Sequence, residues 1–213
     1  MAPQHQQWLK DRKKGIGGSD AACILGLNPY KSNVQLWEEK TGRREPEDIS
    51  SKDCVDYGKK AEAHLRELFK LDYPEYSVDY DEFGMIHNSE YPFIFATLDG
   101  DLTERQTSGK GILEIKTTEI MRAGQYDEWK GDHIPENYYI QVLHQLLATG
   151  YDFVILKAQI KFNFDKLRLE TKHYHIEQAE VIDDLEYLKQ KEVEWWTEYV
   201  VKDVRPPLIL PQI

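Results

Sequence analysis

The hydrophobic period of the chain changes near residue 72, and that change limits the fold more than any single motif. Over residues 53–71 the apolar positions Ala61, Leu65, Leu68 and Phe69 recur at i, i+4, i+7 and i+8, laying one stripe along an amphipathic helix. Beyond it, 77–87, 93–102 and 111–117 alternate and are rich in β-branched and aromatic residues, which predicts three strands separated by turns at Asn88-Ser89 and Ser108-Gly109. Helical patterning returns at 120–129 and 135–149, with Pro135 suited to a first turn and Gly150 to a stop. Residues 151–162 and 167–175 predict a hairpin joined by 163–166. A final amphipathic helix follows over 177–201, with a tail kept extended by Pro206, Pro207 and Pro211. Upstream, 19–27 and 32–41 read as short helices with Ser19 and Ser32 as N-caps and Gly26 and Gly42 as stops, turning at Asn28-Pro29-Tyr30 and ending in a charged linker, 43–52. A block of strands with helices on both sides implies an α/β fold with a mixed sheet. The expected organisation is one domain: a helical part (1–52), a core (53–176), and a C-terminal helix and tail (177–213).

Composition narrows the classes of function. The 213 residues are 40% hydrophobic, enough for a packed core. With 27 basic and 38 acidic side chains the net charge is −11, which argues against a passive DNA-coating protein. The first 31 residues differ, carrying Lys10, Arg12, Lys13, Lys14 and Lys31 against Asp11 and Asp20, a basic arm on an acidic body. Cys23 and Cys54 are too few for a disulfide framework, an iron–sulfur cluster or a cysteine-rich zinc site, and both are expected to be buried thiols. No apolar run is long enough to span a membrane and the N-terminus lacks a secretory h-region, so a cytoplasmic location is expected.

The chemistry concentrates in two strands. Glu114 and Lys116 stand two apart, so they share a sheet face, while Leu113 and Ile115 point to the other face and into a core. A hairpin between this strand and residues 97–101 (TLDGD) brings Asp99 near Glu114. Two carboxylates and an ammonium at one place are the inventory for a hard divalent cation and a polarised water. Glu62 borders the buried stripe of the long helix, either as an edge residue or as a further ligand. On helix 135–149, Gln141 and Gln145 share a face with Tyr138, with His144 adjacent. That row is a polar surface, a contact to a nucleic-acid backbone, or an orienting device for the acids. Finally, Arg12 and residues 15–20 (GIGGSD) run a glycine-rich turn into a helix start. That is either a plain turn or an anion site, and it is not a P-loop, since no Gly-Lys-Ser/Thr follows.

Taken in order, residues 12 and 15–26 (GIGGSDAACILG), 58–62 (GKKAE), 98–100 (LDG), 114–116 (EIK) and 139–145 (YIQVLHQ) resemble the lambda exonuclease and YqaJ-type viral recombinase family of the PD-(D/E)xK nucleases. The resemblance covers about residues 8–156. Leu98 replaces the eponymous proline, and Gln145 stands where RecB-type relatives often have tyrosine. The resemblance implies a restriction-endonuclease-like core and a 5′-3′ exonuclease of linear duplex DNA that yields 5′ mononucleotides and a 3′ overhang. It assigns Mg2+, with Mn2+ as a substitute, to Asp99, Glu114 and the Ile115 carbonyl, and a second ion to Glu62. It further assigns the attacking water to Lys116, the 5′-phosphate to Arg12 and Ser19, and DNA contacts to Gln141 and Gln145. It also implies a toroidal homotrimer, a single-strand annealing partner, and the host cytoplasm as location if the chain is phage-encoded.

Two other readings use the same residues. A restriction-like endonuclease would share Asp99, Glu114 and Lys116 but has no use for an end-binding block at 12–19. A catalytically silent DNA-binding module on the same fold would have lost an acid or the lysine, whereas all four of Glu62, Asp99, Glu114 and Lys116 are present.

Overall fold

The order of elements along the chain explains why the candidate residues collect beside the middle strand of the sheet. The structure, a computed structural model, describes residues 3–163 and 166–210. Four helices come first: α1 (Pro3–Arg12), α2 (Gly18–Ile24), α3 (Asn33–Lys40) and α4 (Asp53–Asp72). Strands β1 (Tyr76–Asp79), β2 (Ile86–His87), β3 (Phe95–Ala96), β4 (Gly100–Glu104) and β5 (Lys110–Ile120) follow. A 3-10 segment (Ala123–Trp129), α5 (Glu136–Thr149), β6 (Phe153–Phe162), β7 (Arg168–Glu177) and α6 (Ile182–Trp195) complete the chain, α6 widening into a π turn over Trp196–Val201. Five strands make a mixed sheet in the order β1-β4-β5-β6-β7, while β2 and β3 pair apart from it. β5 and β6 run parallel and the other neighbours antiparallel, because the connection from β5 to β6 is a crossover through α5 rather than a tight turn.

Alternation along β5 and β6 splits the core into two layers. Leu113, Ile115 and Ile155 face α4 and pack on Leu65 and Phe69. Ile112 and Val154 face the opposite way, onto Val142, Leu143 and Leu146 of α5 and Leu185 and Leu188 of α6. A third cluster of Ile16, Cys23, Ile24, Leu36, Trp37 and Trp195 seats α2 and α3 against the end of α6. None of the described helices is long and apolar enough to cross a membrane.

The α/β mixed sheet flanked by helices is as expected, and several local boundaries are not. The extended stretches 77–87 and 93–102 are each cut in two, giving β1, β2, β3 and β4, because alternation marks extended chain but not which neighbour it bonds. Asp99 therefore lies just outside β4 rather than within a strand. Ser19 is not an N-cap: α2 starts at Gly18, and the Asp20 carboxylate reaches back to accept from the Gly17 N–H at 3.1 Å, fixing the start earlier. Ser32 does cap α3, accepting from the Gln35 N–H at 3.2 Å. Leu68 is exposed, because one helix laid on a sheet buries only a narrow stripe. Cys23 is buried, but Cys54 is exposed in the first turn of α4. β7 runs on to Glu177, so the last helix begins only at Ile182. Helix α1 carries no apolar period that would have announced it. Part of the connection 163–166, and Pro211, lie outside the described residues.

Candidate active site

β4 and β5 stop pairing at Gly100 opposite Leu113, and β5 continues past that point without β4 beside it. Asp99 fills the gap with its carboxylate, which accepts from the Ile115 N–H at 2.8 Å. In a strand the N–H and C=O of one residue point to the same side, so the Ile115 carbonyl faces the same opening. Glu114, on the other sheet face, is only 2% exposed. Its Oε1 accepts from Gln141 at 2.5 Å and from the Lys116 ammonium at 2.6 Å, and its Oε2 accepts from Gln145 at 2.6 Å. The i, i+4 spacing on α5 thus becomes a pair of amides clamping one carboxylate. The Lys116 ammonium also lies 5.3 Å from the centre of the Tyr138 ring.

The electrostatics follow from crowding. Burial, then the nearby Glu114 and Glu62 charges, push the Asp99 carboxyl well above the usual range, with Lys116 and the Ile115 N–H opposing. Burial disfavours the Lys116 charge, but Glu114 and Asp99 outweigh it and hold the ammonium above the ordinary lysine range. Burial raises Glu62 as well, against the pull of Arg66.

Glu62 sits on α4 and accepts from Arg66 Nη2 at 2.6 Å, and Arg66 Nε donates to the Asp99 carbonyl at 2.5 Å. Sequence reasoning did not single out Arg66. Its only signal was a position four residues after Glu62.

The N-terminal block packs over the same helix face as the amide clamp. A Cβ on Gly15 would stand only 2.3 Å from the Phe93 carbonyl oxygen, so that approach requires glycine, while one on Gly18 would stand a tight 3.1 Å from Gln141 Cγ. Arg12 stacks on Trp8 at 4.6 Å, and its Nη1 points to Thr97 Oγ1 at 3.5 Å, two residues before Asp99. Ser19 is exposed on the first turn of α2. Behind this turn, buried Asp20 pairs with Lys40 at 2.7 Å, and Lys40 also donates to the Arg12 carbonyl at 3.0 Å. Burial opposes the Asp20 charge, but Lys40 overrides it and its carboxyl falls below the usual range. His144, wholly buried, bridges Glu192 Oε1 at 2.7 Å and the Phe95 carbonyl at 2.9 Å. Both ring nitrogens face acceptors, and Glu192 outweighs burial to raise the imidazole above its ordinary value.

Residues 7–152 match the YqaJ-like viral recombinase domain. The chain is a member of that family. All five sequence blocks fall within the matched range, Ile24–Gly26 and Leu98–Gly100 included. Protein YqaJ of Bacillus subtilis (strain 168) is 32% identical over 95% of this chain, and a protein of Acanthamoeba polyphaga mimivirus is 28% identical over 70% of it. The chain spans 58% of the length of the first relative and 28% of the second. Among solved structures, an alkaline exonuclease from Laribacter hongkongensis superposes with a TM-score of 0.63 at 16% identity, covering 93% of this chain and 97% of that one. A phage-related exonuclease from Haemophilus somnus 129PT gives 0.54 at 13% identity, covering 89% and 96%. This YqaJ-family chain thus shares its overall fold with those two exonucleases.

The structure brings Glu62, Asp99, Glu114, Ile115 and Lys116 together, and ties Arg12 to Thr97, two residues before Asp99. It changes the meaning of two residues. Gln141 and Gln145 are turned onto Glu114 rather than outward, and Gln145 is only 2% exposed, so it presents no surface for DNA.

Proposed function

We propose that this domain is a metal-dependent exonuclease that degrades one strand of linear duplex DNA in the 5′-3′ direction, leaving a 3′ single-stranded overhang for recombination by strand annealing. The observation that carries the reading is the convergence of Asp99, Glu114 and Lys116 where β5 outruns β4, in a chain of the YqaJ family.

The donor set suits Mg2+, with Mn2+ as a substitute. It is all oxygen, and Asp99 is crowded by two further carboxylates whose repulsion a divalent cation would relieve. Among the described residues no three His, Cys, Asp or Glu side chains already stand as a ready-made cage, and Lys116 and Arg66 hold two of the acids. Asp99, Glu114 and the Ile115 carbonyl would hold one ion and Glu62 a second. Bound there, the ions would neutralise charge on the scissile phosphate and the leaving 3′ oxygen.

The chain's own residues do the rest. The amides of Gln141 and Gln145 fix both oxygens of Glu114 before substrate arrives, so no reorganisation is needed during the reaction. Lys116 Nζ, held protonated by its neighbours, donates toward the attacking water and orients it. Arg12 and Ser19 bind the terminal 5′-phosphate: Arg12 offers a guanidinium braced by Trp8, and Ser19 lies at a helix start. An acidic exterior with a basic lining at this block would reconcile −11 with a DNA substrate. Assembly as a toroidal trimer with a single-strand annealing partner, in the cytoplasm of the host cell, belongs to the same reading.

The test is digestion of linear duplex with and without Mg2+, comparing 5′-phosphorylated with 5′-hydroxyl ends and with closed circles. Metal-dependent loss of the linear form, fastest from phosphorylated ends, is expected. Equal cutting of closed circles would replace the exonuclease by an endonuclease.

A further inference from the structure

Arg66 is buried, charged and contacts three separate parts of the fold, yet it is neither a candidate ligand nor a candidate proton donor. Its side chain is 8% exposed. Nη2 donates to Glu62 Oε1 at 2.6 Å along α4, and Nε donates to the Asp99 carbonyl at 2.5 Å. The guanidinium carbon lies 3.5 Å from the centre of the Tyr80 ring, so one flat face of the group is covered by the loop after β1. Exposed i, i+4 ion pairs form and dissolve freely and contribute little. Here the arginine end is buried, and its two N–H groups point at two different parts of the chain.

We propose that Arg66 is a positioning residue that locks Glu62 and the Asp99 peptide into one frame, so that the Asp99 carboxylate stays on the Ile115 N–H. The inference deepens the nuclease reading above and rests on it for its catalytic half. Asp99 lies just outside β4 and so has no strand ladder to hold its peptide plane. The Arg66 Nε–H takes over that task from the carbonyl side, and the Asp99 side chain springs from the residue so fixed. If the peptide plane turned, the carboxylate would swing off Ile115 and away from Glu114. The same guanidinium sets the distance from Glu62 to Asp99, because Nη2 and Nε belong to one rigid plane. A lysine ammonium offers a point charge on a flexible stem and lacks that fixed fork.

Two measurements on wild type, Arg66→Ala and Arg66→Lys decide the matter. The first is amide hydrogen exchange, which needs no nuclease activity. In Arg66→Ala the Ile115 amide should exchange at least about tenfold faster, the scale of a lost charge-assisted hydrogen bond. Leu113, held in the ladder opposite Gly100, should keep its wild-type rate. The second is cleavage of linear duplex at a temperature where all three proteins are folded. There kcat should fall about 10- to 100-fold in Arg66→Ala at unchanged KM, the usual cost of losing a group that orients a metal-binding acid. Arg66→Lys should restore neither readout. The proposal is overturned if Ile115 stays as protected as in wild type, if protection falls evenly across the sheet, if Arg66→Lys restores activity, or if kcat does not change while the wild type cuts. If the wild type cuts no DNA, the nuclease reading falls, and the exchange measurement still decides whether Arg66 holds Asp99.

Discussion

Replacing Gln145 by leucine separates the two roles an amide row beside a nuclease centre can have. Gln145 is 2% exposed, and its Nε2 donates to Glu114 Oε2 at 2.6 Å, while its own Oε1 is buried with no hydrogen-bond partner among the described residues. Leucine has nearly the same volume, so no cavity is added. The lost hydrogen bond to a carboxylate is worth about 1.5–3 kcal/mol, and removing an unsatisfied acceptor returns roughly 1 kcal/mol of that. The net destabilisation of Gln145→Leu should be about 0.5–2 kcal/mol, readable as a shift of the urea midpoint at constant slope. Glu114 keeps Gln141 and Lys116 on Oε1, but its Oε2 is free to turn. Cleavage under single-turnover conditions should therefore slow by about 10- to 100-fold. DNA affinity, measured by anisotropy with labelled duplex, should stay within a factor of about two, because the side chain has no surface to offer. Weakened DNA binding with an unchanged cleavage step would refute the orienting role and return Gln145 to the DNA interface.

Lys116→Ala removes the ammonium and leaves the acids. Cleavage should fall by at least about two orders of magnitude while DNA binding persists, and near-normal cleavage would sink the assignment. Arg12→Ala should slow processing of 5′-phosphorylated ends by about one to two decades and of 5′-hydroxyl ends little, and an equal loss on both would make Arg12 only part of a basic arm. Asp20→Asn tests the buried pair behind that arm. Because the folded-state carboxyl is depressed, the pair stabilises above the unfolded value of about 3.9 and loses its contribution as pH falls through the lower folded value. The variant should be about 3 kcal/mol less stable than wild type at neutral pH, with the gap closing toward pH 3 in urea titrations, and a gap independent of pH would refute the charge argument.

What was legible in the sequence was what depends on period and residue type. The switch from helical to alternating pattern placed α4 before the strands, and parity alone put Glu114 and Lys116 on one face with Leu113 and Ile115 on the other. The i, i+4 relation paired Gln141 with Gln145 without saying what they hold. Motif order gave the family, since five blocks in sequence constrain far more than any one. Ser19 as a cap and Cys54 as a buried thiol failed, because both depend on where a helix begins relative to the body it packs on.

Only the tertiary structure decided who meets whom. Periodicity is blind to hydrogen-bond partners, so it could not show that 77–87 and 93–102 each divide between two sheets, or that β5 and β6 run parallel. The candidate opening exists because β5 extends past the end of β4, a difference in strand length that is set by pairing and leaves no mark on either strand alone. Arg66 joins α4 to Asp99 across 33 residues of chain, and Arg12 reaches Thr97 across 85. Contacts of that range arise from the packing of helices on a sheet. The amino-acid sequence specifies them only through the whole fold, which is why the acids and the amide row could be named from the sequence while Arg66, which holds the Asp99 peptide, could not.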